Sequence, residues 1–145
     1  MTNVIVHCSD SFFGNAAEIT KWHLQRGFDT IAYHFVILNG SISATKNYMY
    51  FDGYIETGRP LDDDGDLELD EKGAHAFGYN MAVGICLIGY SNTFSDAQLR
   101  ALRYLITKLR KQFGEIKVLQ HSDVDKKKPK CAGLSKAEMD KLNTI

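Results

Sequence analysis

The chain has 145 residues, 44% of them hydrophobic and 24% charged, which is the make-up of one ordinary globular domain and excludes the disordered, fibrous and membrane classes. A formal net charge of -1 supplies no uniform basic field and so speaks against a nucleic-acid partner. The three cysteines, Cys8, Cys86 and Cys131, are too few and odd in number for a disulfide framework, so at least one is expected as a free thiol or a metal ligand.

No apolar run is long enough to span a bilayer, and the amino terminus shows no signal-like segment. The expectation is a monomer without a membrane partner, made in the cytoplasm and carried by another agent to any substrate outside it.

In chain order, Val4, Ile5 and Val6 form a short apolar run that predicts a buried strand. A helix follows, capped by Asn15 with Glu18 closing a capping box, showing Ile19 and Trp22 on its apolar face and stopping near Gly27. Residues 33–38 predict a second strand. After Asn39 and Gly40 a polar, aromatic stretch through Tyr48, Tyr50 and Phe51 reaches the turn signal Asp52-Gly53 and reads as a surface hairpin or excursion.

The acidic residues 62–71 surround Gly65 with partial calcium-loop spacing, but Pro60 falls at the first ligand position, so a solvated loop is the better reading. Residues 82–88 predict a central strand. Ser95 and Gln98 open a long helix whose core face is Leu99, Leu102, Ile106, Leu109 and Phe113, with Arg100, Arg103, Lys108 and Lys111 on a solvated side. Residues 116–119 predict a last strand, and Ser135 with Glu138 opens a terminal helix. Strands and helices interleave throughout, which predicts an α/β fold: one central mixed β-sheet flanked by helices, a single domain over residues 1–145.

Chemistry concentrates at two strand ends. His7 and His121 each follow a predicted strand, so neighbouring strands would bring their imidazoles to one edge of the sheet. Cys131 stands after a loop carrying Asp123, Asp125, Lys126, Lys127, Lys128 and Lys130, a positive neighbourhood expected to favour thiolate. Two imidazoles and a thiolate suit zinc and leave one tetrahedral position open for water; hydrogen-bonded histidines at strand ends beside a small apolar cysteine would give the same spacing. Cys8 is a competing ligand or nucleophile by position, but neighbours on a strand point to opposite faces. His23, beside Trp22 in a helix, reads as structural. Tyr33 and His34 are adjacent in a strand, so one of them faces the cleft. His75 sits between glycines in a loop suited to a groove wall, and structural and functional roles are both open to it.

Several blocks in order carry a resemblance: Val6-His7-Cys8-Ser9, Trp22-His23 with Arg26-Gly27-Phe28, Ala32-Tyr33-His34-Phe35-Val36-Ile37, Gly58-Arg59, Gly73-Ala74-His75-Ala76 with Gly78-Tyr79-Asn80, and Gly84-Ile85-Cys86-Leu87-Ile88-Gly89. Together they resemble the zinc N-acetylmuramoyl-L-alanine amidase family, which includes phage amidase lysozymes and peptidoglycan recognition proteins. The resemblance runs from about Val4 to Gly133, interrupted by the excursion after Gly40.

It implies Zn2+ held by His7, His121 and Cys131, a catalytic tyrosine at Tyr33, and His75 and Asn80 in the groove that receives the stem peptide of peptidoglycan. Recognition-only relatives usually lack the cysteine, so Cys131 points to an enzyme, with a phage endolysin most similar; a binding module without turnover, a cysteine hydrolase and a muropeptide-recycling amidase are the alternatives. The position two before the cysteine commonly holds lysine or threonine and here is Pro129. Of the flanking lysines, Lys128 is the expected catalytic one, because Pro129 biases its predecessor to an extended backbone and Lys130 in an extended loop would point away from the metal.

Overall fold

The computed structural model describes residues 1–61, 73 and 81–145. His75, Asn80 and the acidic loop 62–71 lie outside the described residues. Alternating apolar side chains build the sheet from its middle outward. In β1 (Thr2–Cys8), Val4 and Val6 turn to one face while Ile5 turns to the other, all three fully buried. A strand covered on both faces reads as continuous apolar sequence, the pattern of a central parallel strand.

β1 pairs in parallel with β4 (Val83–Leu87) on one side and with β5 (Ile116–Gln120) on the other. β2 (Phe35–Ile37) adds in parallel to β4, and β3 (Ile55–Thr57) closes that side antiparallel to β2, giving the order β3-β2-β4-β1-β5. The sheet is therefore mixed, as the alternation of elements predicts.

Helices cover the two faces unequally. α2 (Asp96–Phe113) and α4 (Lys136–Thr144) bury Leu102, Leu105, Ile106, Leu109, Met139 and Leu142 against Val4, Val6, Ile85, Leu87 and Val118. α1 (Ala16–Gln25) covers only the β2 and β4 part of the opposite face, packing Ile19 on Val36, Cys86 and Ile88. The remainder of that face, beside β1, carries the cleft described below.

Several local expectations change. β2 is three residues long because Tyr33 and His34 enter from the preceding loop, held by backbone bonds from Arg59 to Tyr33 and from Gly58 to the His34 carbonyl. The excursion after Gly40 contains a 3-10 turn, Met49–Phe51, and leads into β3. Asn15 caps α1 by accepting from the Glu18 amide at 2.8 Å, but the Glu18 carboxylate faces Lys21 rather than closing the box on the Asn15 amide; separately, the Ala16 amide donates to Glu56.

The full capping box forms at Ser95 and Gln98, and Gln98 is also buried, its amide donating to the carbonyls of Ile37 and Ile88. Leu99 and Phe113 are only partly buried, with Leu105 in the core in their stead. Arg103 is not simply a solvated cation: it binds Glu138 bidentately, at 3.0 and 2.6 Å, and ties α2 to α4. On β5, Asn143 of α4 accepts from the Val118 amide at 2.9 Å and donates to the Val118 carbonyl at 3.0 Å.

Candidate metal centre and catalytic cleft

His7 lies inside β1 rather than after it. Its parity with Ile5 puts the imidazole on the face that α1 leaves open, and its 1% exposure makes it a buried polar group requiring partners. His121 follows β5 directly and starts the short helix α3 (His121–Val124). Because β1 and β5 are neighbours, the two imidazoles meet with Nδ1 facing Nδ1 at 3.1 Å.

Cys131 completes the trio; the three candidate ligand atoms all lie within 4.8 Å of one another. A tetrahedral site with metal bonds near 2.1–2.3 Å separates its ligand atoms by roughly 3.4–3.7 Å, so the spacing fits an ion of zinc's size. Behind His121, an Asp125 carboxylate oxygen lies 3.7 Å from Nε2, the place of the carboxylate that orients a ligating imidazole.

The chain reaches this arrangement through backbone anchoring. Gln120 accepts from the amides of Gly133 and Leu134 through Oε1 and donates to the Leu134 carbonyl, which pins the segment after Cys131 to the end of β5. The Ser122 amide donates to the Cys131 carbonyl, and the Cys8 amide donates to the Cys131 sulfur at 3.2 Å. On the β1 side, Ser9 Oγ accepts from the Gly89 amide at 2.9 Å. Asp125 and Gln120 are supporting positions around the trio that the residue pattern alone did not single out. The one available signal was a polar amide standing between a strand and a histidine.

The electrostatics favour neutral imidazole. Burial lowers the pKa of His121, and Lys128 adds to this while Asp125 works against it. The thiols behave differently from the expectation. Cys131 is pushed up, first by its hydrogen bond with the Cys8 thiol and then by burial, whereas Cys8 is lowered by the same bond. The lysines are exposed and do not set the state of Cys131; a partner in β1 does, so the proton must leave when a metal enters.

Tyr33 stands against this centre, its ring 5.0 Å from that of His7. Burial raises its pKa well above the usual phenol range, with the nearby thiols adding to the shift, and so keeps the hydroxyl protonated. His34 is turned away: Nδ1 accepts from the Gly84 amide at 3.0 Å and the side chain is buried. His23 accepts from the Ala32 amide through Nδ1 at 3.0 Å, a structural bond, while its ring lines the cleft 5.3 Å from that of Tyr33. Its pKa is lowered to about 4 by burial, then by Arg26 and Arg59.

The cleft around these groups has a volume of about 670 Å³ and includes Tyr33, His121 and Cys131 in its lining, with Arg26 and Phe28 on one wall and residues 127–130 among the others. Those last residues are not extended. The Lys128 amide donates to Asp125, and the Cys131 amide to the Lys128 carbonyl, so Pro129 sits at the second position of a turn. In this turn Lys130 is not directed away from the centre by an extended backbone, and what marks Lys128 is that its charge reaches His121.

The comparisons with known proteins agree with this geometry. The N-acetylmuramoyl-L-alanine amidase family profile matches residues 1–133. The endolysin of Klebsiella phage KP32 is 31% identical over 134 residues, covering 85% of this chain and 76% of the phage protein. The endolysin of Escherichia phage T7 is also 31% identical over 134 residues, covering 83% and 74%. Among solved structures, the N-acetylmuramoyl-L-alanine amidase LysC from Clostridium intestinale URNW superposes with a TM-score of 0.75 at 26% identity, over 99% of this chain and 86% of that one. The PGRP-SA of Apis mellifera shares the fold, with a TM-score of 0.69 at 22% identity over 92% and 76% of the two chains. On these matches the chain belongs to the N-acetylmuramoyl-L-alanine amidase family and is a peptidoglycan amidase of the endolysin kind.

Proposed function

We propose that residues 1–145 form a single amidase domain that holds zinc through His7, His121 and Cys131 and cleaves the bond between N-acetylmuramic acid and L-alanine. The observation that carries this reading is the convergence of three ligand atoms from β1, the start of α3 and the following loop on one side of an open cleft. Three protein ligands leave the fourth tetrahedral position to water and substrate. When bound, zinc supplies Lewis acidity to the scissile carbonyl and lowers the pKa of water toward neutrality.

The remaining work falls to the chain's own residues. Tyr33, kept protonated by burial, donates a hydrogen bond to the oxyanion that develops as the amide is attacked. Lys128 at the rim adds positive charge on the His121 side, and Asp125 holds the His121 ring in its ligating orientation. His75 and Asn80 are assigned to the groove for the stem peptide. The enzyme acts on the cell wall after release or delivery by another agent, in keeping with its phage relatives.

Metal analysis joined to mass spectrometry of digested peptidoglycan tests the whole reading. About one zinc per chain is expected, with new L-alanine amino groups and no new reducing sugar ends. New reducing ends, or full activity in metal-free protein, would overturn it.

A further inference from the structure

The cleft is cationic in a chain whose net charge is -1. Arg26 stands on one wall and Lys127, Lys128 and Lys130 on another, while Asp10 is the acidic residue of the lining. Arg26 differs from the lysines in being braced. It follows α1 directly, and its guanidinium lies over the Phe28 ring at 5.2 Å from the centroid. A guanidinium seated over an aromatic ring is restrained by it and keeps N–H groups to donate.

The neighbouring Arg59 is committed elsewhere, binding Asp29 at 2.7 Å. Among the described residues Arg26 has no carboxylate partner. Phe28 packs on His23 with ring centroids 5.0 Å apart, and His23 packs on Tyr33 at 5.3 Å, so Arg26 stands on the Tyr33 side of the cleft.

The two halves of the substrate differ in charge. In an N-acetylated glycan the sugars are neutral, and the muramic carboxyl is consumed in the scissile amide. The peptide half carries free carboxylates, the first of them on the acidic residue that follows L-alanine. A planar, pre-oriented guanidinium matches a carboxylate bidentately and has no charged complement on the sugar half.

We propose that Arg26, braced on Phe28, is a specificity-determining residue that binds the free carboxylate of the second stem-peptide residue and so orients the peptide half of the substrate past Tyr33. The assignment rests on the amidase reading above. It makes amidation of that carboxylate, which removes the charge, a modification that weakens this enzyme's hold on the wall.

The test uses two soluble muropeptides, N-acetylmuramoyl-L-alanyl-D-isoglutamate and its isoglutamine counterpart. The zinc-loaded protein should show kcat/KM about tenfold or more in favour of the free acid, the difference lying mainly in KM and shrinking with added salt. Arg26→Gln should bring the ratio close to one, Arg26→Lys should keep part of it, and Arg100→Gln on the outer face of α2 should leave it unchanged. Titrating the same two compounds into metal-free protein reads the preference as a ratio of Kd values without any turnover. Equal handling of both compounds by the unaltered protein, or an undiminished ratio in Arg26→Gln with native thermal stability, would overturn the assignment. Failure to cleave either compound while the Kd ratio persists would instead count against the amidase reading.

Discussion

His121 has Nδ1 facing His7 at 3.1 Å, while an Asp125 carboxylate oxygen lies 3.7 Å from Nε2, beyond hydrogen-bond length but placed to close on a ligating ring. Outer partners of this kind tune affinity without touching the ion. Asp125→Asn is expected to weaken zinc binding by about 10–100-fold, measured by competition with a chromogenic chelator, whereas Cys131→Ser should remove zinc and activity together. Tyr33→Phe should keep its zinc and lose roughly 10²–10³ in kcat, the usual consequence of removing one oxyanion donor. Steady-state rates for Lys128→Ala and Lys130→Ala, both smaller losses, decide which lysine matters, and a larger loss at Lys130 would reverse the assignment. His23 gives a signature in pH. Its folded pKa of about 4 lies below the ordinary 6.5, so the unfolded chain takes up the proton first. The stability it contributes is complete above pH 6.5 and is lost as pH falls toward 4, about 3 kcal/mol at most. Thermal melts of His23→Gln should therefore vary less with pH over that window than those of the unaltered protein. At this scale the sequence was most legible in the grouping of His7, His121 and Cys131, whose ligand atoms the fold brings within 4.8 Å of one another, with Tyr33 packed against His7. The protonation of Cys131 was not legible, because the thiol that shifts it lies in β1, 123 residues away in sequence.

Among the elements, the short β2 strand shows why propensity could not mark its start. Tyr33 and His34 have strand-like side chains, but the backbone there is closed by residues 58 and 59 returning after β3, a tertiary constraint. Gly58 permits that closure: an added Cβ would overlap the Tyr33 carbonyl and press on Ile31. Gly58→Ala is thus expected to destabilise the fold by about 1–3 kcal/mol and also to lower kcat, because the displaced carbonyl belongs to Tyr33, the proposed oxyanion donor. Equal activity per folded molecule in that variant would show that the approach is not tied to catalysis. The caps were legible from Ser95-Gln98 and Ser135-Glu138 spacing, since the amide bond they make is local. The destination of Glu138 was not, for its partner Arg103 lies on a different helix.

For the molecule as a whole, the ligand trio joins the first strand to the last third of the chain, so metal binding and folding are linked. Zinc at a thousand times its Kd should add about 4 kcal/mol and raise Tm by roughly 10 °C, a shift that calorimetry with and without chelator measures directly. The α/β class and the mixed sheet were readable from the alternation of apolar runs and capped helices, but the strand order was not, because it depends on which runs neighbour one another in space. One edge of that sheet ends on β5, where Asn143 offers its amide oxygen and nitrogen to Val118 much as another strand would. A side chain here does the work of a decoy, occupying the hydrogen-bonding groups through which a second molecule would otherwise extend the sheet. Replacing it with leucine should leave the cleft intact while making the protein self-associate with rising concentration, visible by sedimentation velocity, and the unaltered chain should sediment as a monomer. The last helix is then a guard on solubility as well as a cover for the sheet.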